Sequence, residues 1–225
     1  PSDIAIERIR KIGVDTKTYK IREPYEFRFM KNCDSLSNNI CYLGRISFAK
    51  GIDKLIYFVN AIRDIFIPRE IKLIGNNTDL KFRTNDIKKY IFDRILDSEN
   101  IYFSISSFLK QEIGLRQYNP GDICPQLGNS ETFSYSTIEA IDCGCVPIIR
   151  DGTPMEEFFP EQLKHLSLPI DMGSHLDCQN LYEKYSSNCK DIVKELQNFN
   201  QKQLNPKNIA LKQTEIYQSE IKKIK

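Results

Sequence analysis

The sequence has almost no surplus charge: 32 Lys and Arg stand against 30 Asp and Glu, a formal net charge of +2 over 225 residues. A protein that grips nucleic acid mainly by neutralising phosphates needs a large basic excess, so that class is excluded, whereas a small anionic ligand held by a few local cations is not. Long apolar runs are missing as well. The longest, such as Leu55 to Val59, sit among charges and fall far short of the roughly 20 residues that cross a bilayer. No Cys-x-x-Cys pair occurs among the seven cysteines at 33, 41, 124, 143, 145, 178 and 189, and the two histidines, His165 and His175, form no cluster with them. An odd count without metal-ligand spacing points to reduced thiols in a cytoplasmic chain rather than to disulfides or a structural metal. Neither histidine is assigned a role. Internal repeats and low-complexity tracts are absent. So are an initiator Met and an apolar leader, since the chain opens at Pro1-Ser2, and a piece of a longer protein is expected.

What is present is 40% hydrophobic and 28% charged, the composition of one globular domain with at most some appendages. Ile4 to Ile12, apolar at 4, 6, 9 and 12, reads as an amphipathic helix, and Lys17 to Arg22 as a short strand. Ile40 to Leu43, Ile71 to Ile74, Ile101 to Phe103, Asp122 to Pro125 and Cys145 to Ile149 read as strands, with Leu166 to Ile170 as a sixth. Helical patterns alternate with them over Ile52 to Ile65, Asn85 to Leu96, Ser107 to Leu115 and Ser136 to Ile141. Strands that are apolar throughout and separated by helices build a parallel sheet covered on both faces. The expected fold is therefore α/β, a Rossmann-like doubly wound parallel sheet. After Asp171 the pattern turns helical, first around Ile192, Leu196 and Phe199 and then from Ile209 to Ile224. Ligands of such sheets bind beyond the carboxyl ends of the strands, so the loops after Leu43, Ile74, Phe103 and Pro125 are the functional candidates.

Two segments in those loops carry chemistry. Gly44-Arg45-Ile46-Ser47-Phe48-Ala49-Lys50-Gly51 lies between a strand and a helix. Its glycines let backbone approach a ligand, its cations flank the turn, and the helix beginning near Gly51 aims N–H groups and a positive dipole end into the same space. The segment suits a diphosphate, although it has neither the P-loop order nor the Gly-x-Gly-x-x-Gly of dinucleotide folds. The plainer reading is a tight strand-to-helix turn with solvated Arg and Lys. The second segment runs from Asn129 through Glu131-Thr132-Phe133-Ser134-Tyr135-Ser136 to Glu139-Ala140. It places one carboxylate in a loop and another in the first turn of a helix whose exposed amides face that loop. Such a site reads hydroxyls with carboxylates and holds phosphate with backbone amides, while the plainer alternative is a dipole-complementing Glu139 and a surface Glu131.

Taken in order, Gly44-Arg45…Lys50-Gly51, Leu73-Ile74-Gly75, Glu131…Glu139-Ala140 and Cys143-Gly144-Cys145-Val146-Pro147 resemble the carboxyl-terminal, donor-binding half of retaining GT-B glycosyltransferases, and most closely glycosyltransferase family 4. The likeness covers roughly residues 1 to 160, and the helical remainder resembles the family's tail. It implies three parts: an interdomain linker helix and edge strand (1–30), a Rossmann-like donor-binding domain (31–175), and C-terminal helices (176–225) that pack on this domain or on an amino-terminal one. It implies that Gly44, Arg45 and Lys50 hold the diphosphate of a nucleotide-sugar, that Glu139 accepts from ribose hydroxyls and Glu131 from those of the transferred sugar, and that the backbone from Thr132 through Phe133 and Ser134 to Tyr135 supplies amides. Ser106, Ser107 and Phe108 fall in the family's base-recognition segment. Arg45, Lys50 and Glu131 become the candidate catalytic residues, with the cations stabilising the departing diphosphate and no metal or other cofactor needed. The acceptor would be held by a missing amino-terminal domain, leaving this chain alone inactive for transfer. Thr132-Phe133-Ser134 departs from the family's usual Gly-Phe-Gly. A non-catalytic Rossmann nucleotide-binding or interaction module and a GT-B sugar-nucleotide epimerase stay open as alternatives. The tail shows no basic amphipathic stripe, which leaves peripheral membrane association undecided.

Overall fold

In a computed structural model, residues 6–7, 10–13, 21–76, 84–106, 114–128 and 133–224 are described. Five strands form one wholly parallel sheet: β1 (Asn39–Leu43), β2 (Glu70–Ile74), β3 (Tyr102–Ser106), β4 (Ile123–Pro125) and β5 (Val146–Ile148), in the spatial order β3-β2-β1-β4-β5. Between them run α1 (Ile52–Ile62), α2 (Thr84–Phe92) and α3 (Tyr135–Asp142), and the chain closes with α4 (His175–Leu204) and α5 (Pro206–Ile224). Strand order reverses between β1 and β4, which leaves a crevice at their carboxyl ends.

Period two along the strands sorts side chains to two faces. Ile40 and Tyr42 of β1, Ile71 and Leu73 of β2, Ile123 of β4 and both isoleucine-valine ends of β5 join the large core with α1 and α4. The opposite face is a small cluster in which Cys41, Cys124, Cys143 and Cys145 surround Tyr118. That packing explains much of the cysteine usage: thiols serve here as compact apolar side chains. All seven cysteines are free and buried.

Several expectations change in detail. The expected sixth strand is reduced to one parallel bridge between Arg150 and Leu168. The helix predicted to run to Ile65 stops at Ile62. The segment from Ile4 is helical at 6–7 and 10–11. Of the strand expected over 17–22, residues 21–22 are irregular and the rest lie outside the described residues, as does the helix from Ser107 except for its helical end at 114–115. His175 starts α4. Ser174 caps it reciprocally: the Asp177 N–H donates to Ser174 Oγ at 3.2 Å and the Ser174 N–H to Asp177 Oδ2 at 2.7 Å.

Asn188 breaks α4 with φ −147° and ψ 29°, yet both halves enter the core through Leu181, Tyr185, Val193 and Leu196. The Tyr185 hydroxyl donates to the Pro147 carbonyl at 2.9 Å. The segment before β1 is strapped to α3 by one buried carboxylate. Asp142 Oδ1 accepts from the Phe29 and Met30 N–H groups at 3.0 and 2.8 Å, and Oδ2 from the Arg28 N–H and Tyr25 hydroxyl at 3.0 and 3.2 Å. Those bonds hold Met30 at φ +42°, a left-handed conformation that costs a non-glycine residue about 1–2 kcal/mol.

Candidate functional site

The crevice at the strand-order reversal is a cleft of about 590 Å³, within the size range of small-molecule sites. Its first wall is the β1–α1 loop. Gly44 leaves the sheet at φ +152°, and its carbonyl passes so close to Gly75 that a Cβ on residue 75 would lie 1.7 Å from it. Only glycine fits at 75 without moving the loop. Gly44 N–H donates to the Ile74 carbonyl at 2.9 Å, tying the exits of β1 and β2 together. A turn of 3-10 helix, Phe48–Lys50, then leads into Gly51 at φ +83°, which begins α1 without a side-chain cap. The first α1 amide is closed off by backbone, the Ile52 N–H donating to the Ser47 carbonyl at 3.3 Å.

Tyr42 staples this loop from below. Its ring is buried, and its hydroxyl donates to the Arg45 carbonyl at 2.7 Å and stands 3.5 Å from that of Lys50. Both cation-bearing residues are thus anchored through their backbones, with Arg45 exposed and Lys50 half-buried. The β4 exit loop forms the floor. A Cβ on Gly51 would fall 2.6 Å from the Leu127 carbonyl carbon, and one on Gly128 3.1 Å from Lys50 Cα. Floor and wall therefore meet through backbone alone.

The facing wall is the start of α3. Ser134 precedes the helix with φ −108° and is buried, its hydroxyl accepting from Thr137 Oγ1 at 2.8 Å. A serine where the resembling family has glycine is accommodated: its backbone is extended, and its side chain turns into the helix rather than the cleft mouth. Ser136 Oγ donates to Gln126 Oε1 at 3.0 Å, linking this wall to the floor. Because α3 starts at Tyr135, Glu139 is its fifth residue and not part of its first turn as expected. It is only 6% exposed and still lines the cleft. The phenols of Tyr25, Tyr118 and Tyr135 all feel its charge. Tyr135 is pushed up to about 12, first by burial and then by donating its hydroxyl to the Glu23 carboxylate. Burial raises the other two phenols as well.

Of the residues singled out in the sequence, Gly44, Arg45 and Lys50 on one wall and Phe133, Ser134, Tyr135 and Glu139 on the other meet at this one cleft. Ser106 ends β3 and accepts from the Gly75 N–H at 2.9 Å. Ser107, Phe108, Glu131 and Thr132 lie outside the described residues. Sequence reasoning missed Tyr42, Gln126, Gly128 and Met155, which also line the cleft. Tyr42 left one signal: a buried phenol inside an apolar strand needs a polar partner nearby. Among the described residues no group of three or more His, Cys, Asp or Glu side chains is arranged to hold a metal ion, and no helix is long and apolar enough to cross a membrane.

No protein-family model matches this sequence, and no curated protein matches it. Solved structures do resemble its fold. Sucrose-phosphate synthase from Thermosynechococcus elongatus superposes with a TM-score of 0.71 at 15% identity, over 98% of this chain and 57% of that one. HepE from Anabaena in complex with UDP-glucose gives 0.59 at 16% identity, over 97% and 53%. The C-terminal domain of the glycosyl transferase group 1 family protein LpcC from Francisella tularensis gives 0.56 at 18%, over 75% and 86%. The fold is thus the Rossmann-like α/β fold found in the carboxyl-terminal half of glycosyltransferases, and the chain spans about half the length of the first two.

Proposed function

We propose that this chain is the donor-binding half of a retaining GT-B glycosyltransferase of the family 4 type, and that its cleft binds a nucleotide-diphosphate sugar. The observation that carries the reading is the convergence, at the strand-order reversal, of Arg45 and Lys50 on one wall with the start of α3 and the buried Glu139 on the other. Cations and helix amides suit a diphosphate, and a buried carboxylate suits ribose hydroxyls. The complex of HepE with UDP-glucose supports this choice of ligand class.

In this reading Arg45 and Lys50 bind the diphosphate and stabilise it as it leaves, so no metal or other cofactor is required. Glu139 accepts from the ribose, Glu131 from the transferred hexose, and the backbone of 132–135 donates to sugar and phosphate. Ser107 and Phe108 contact the base. The acceptor is held by an amino-terminal domain joined through residues 1–30, transfer proceeds with retention in the cytoplasm, and the C-terminal helices after 175 brace the two halves. This chain alone then binds donor without transferring it.

Calorimetric titration with UDP, GDP, ADP and CMP tests the proposal. One nucleotide should bind selectively. Arg45→Ala should weaken it by about 1.5–3 kcal/mol, the worth of a charge-assisted hydrogen bond, and Glu139→Ala should weaken it as well. Binding by none of them, or equal binding by both folded variants, overturns the proposal.

A further inference from the structure

Arg150 follows β5 and is only 2% exposed. Taking a guanidinium out of water is costly, so a buried arginine is kept only where its hydrogen bonds do something that an apolar side chain cannot. Its surroundings show what its bonds fix. Nη2 donates to the Gly128 carbonyl at 3.3 Å, Nη1 donates to the Ile170 carbonyl, and the Asp53 carboxylate in the first turn of α1 supports its charge while burial opposes it. Gly128 in turn is the backbone on which Lys50 rests, with 3.1 Å between the Gly128 Cβ position and Lys50 Cα, and the preceding Leu127 abuts Gly51. One fork thus ties the floor of the cleft to the segment that follows the bridge at Leu168.

We propose that Arg150 is a positioning residue for the anion-binding wall: by holding the Gly128 carbonyl, it sets the place at which Lys50 meets a bound diphosphate. This rests on the nucleotide-diphosphate reading of the cleft. Arg150 touches no ligand itself and acts through Gly128 and Lys50. Lysine substitutes poorly, because a single ammonium cannot reach both carbonyls as the planar fork does.

The test combines thermal melting with titration by UDP, GDP and ADP and by the matching monophosphates UMP, GMP and AMP on the unaltered chain, Arg150→Met and Arg150→Lys. Arg150→Met, which leaves the Gly128 and Ile170 carbonyls without their donor, should lower the melting temperature and bind the nucleoside diphosphate about tenfold more weakly, a loss of about 1.4 kcal/mol. Its preference for the diphosphate over the matching monophosphate should shrink. Arg150→Lys should fall between the two. A merely structural arginine would leave that preference intact whatever the melting temperature does, which overturns the proposal, as does unchanged affinity in Arg150→Met. If Arg150→Met does not fold, Arg150→Lys decides: weaker diphosphate binding at an unchanged melting temperature supports the positioning role, and unchanged affinity overturns it. Absence of binding by the unaltered chain removes the nucleotide reading and this proposal together, whereas binding that both variants retain in full removes this proposal alone.

Discussion

Replacing Asp142 by Asn changes no volume, yet it turns one acceptor of a buried carboxylate into a donor. If the new amide nitrogen stands at Oδ1, it opposes the N–H groups of Phe29 and Met30; at Oδ2 it opposes the Arg28 N–H and the Tyr25 hydroxyl. The second orientation costs less, since Tyr25 can turn its hydroxyl and accept, leaving only the Arg28 N–H without a partner. A buried orphan donor costs about 1–3 kcal/mol, and the bonds that remain lose their charge assistance, for a total of about 2–4 kcal/mol. At about 2–4 °C per kcal/mol for a chain of this size, the melting temperature should fall by about 4–16 °C. Tyr25→Phe, which removes one bond and leaves the carboxylate its three backbone donors, should lower it by only about 1 kcal/mol or a few degrees. Differential scanning calorimetry of the three proteins is the assay. If Asp142→Asn melts within about 2 °C of the unaltered chain, the strap does not hold residues 25–30 in the manner described.

Tyr42→Phe should leave the fold intact and weaken nucleotide binding several-fold, because the Arg45 carbonyl loses its 2.7 Å donor and the loop its anchor; calorimetric titration with unchanged affinity would contradict this. Burial pushes the thiols of Cys33, Cys143 and Cys178 up to about 12, so an aromatic disulfide reagent at pH 8 should find no fast-reacting thiol in the native chain and seven in denaturant. Rapid labelling of the native protein would refute that burial. The same shifts give a sign for alkaline stability. Unfolded thiols release protons above about pH 8.5 that the folded chain retains, so stability should decline as pH rises past that value. A denaturant midpoint constant from pH 8 to pH 10 would contradict it.

The sheet was legible because its central strands β1, β4 and β5 are buried on both faces and stand out as apolar runs closed by turn residues. The Gly44–Gly51 loop was legible for the same reason, lying where a strand signal ends and a helical period begins. What stayed hidden depends on contacts between loops far apart in sequence. Nothing in Ile149-Arg150-Asp151 indicates that Arg150 is buried beneath Gly128, and the partner of the Tyr42 hydroxyl is backbone, which sequence does not distinguish. The start of α3 was placed at Ser136, but Ser134 provides the extended residue before the helix and Thr137 bonds back to it. The start of α4 had a readable mark in Ser174 and Asp177, three residues apart, a spacing that capping chemistry makes informative.

The most direct measurement of the central claim is the crystal structure of this chain with the nucleoside diphosphate that binds it best. The account predicts phosphate oxygens within hydrogen-bond distance of Arg45, Lys50 and the amides at the start of α3, with the ribose hydroxyls on Glu139. A nucleotide bound elsewhere on the chain, or one in the cleft with its ribose away from Glu139 and its phosphates away from Arg45 and Lys50, would contradict it.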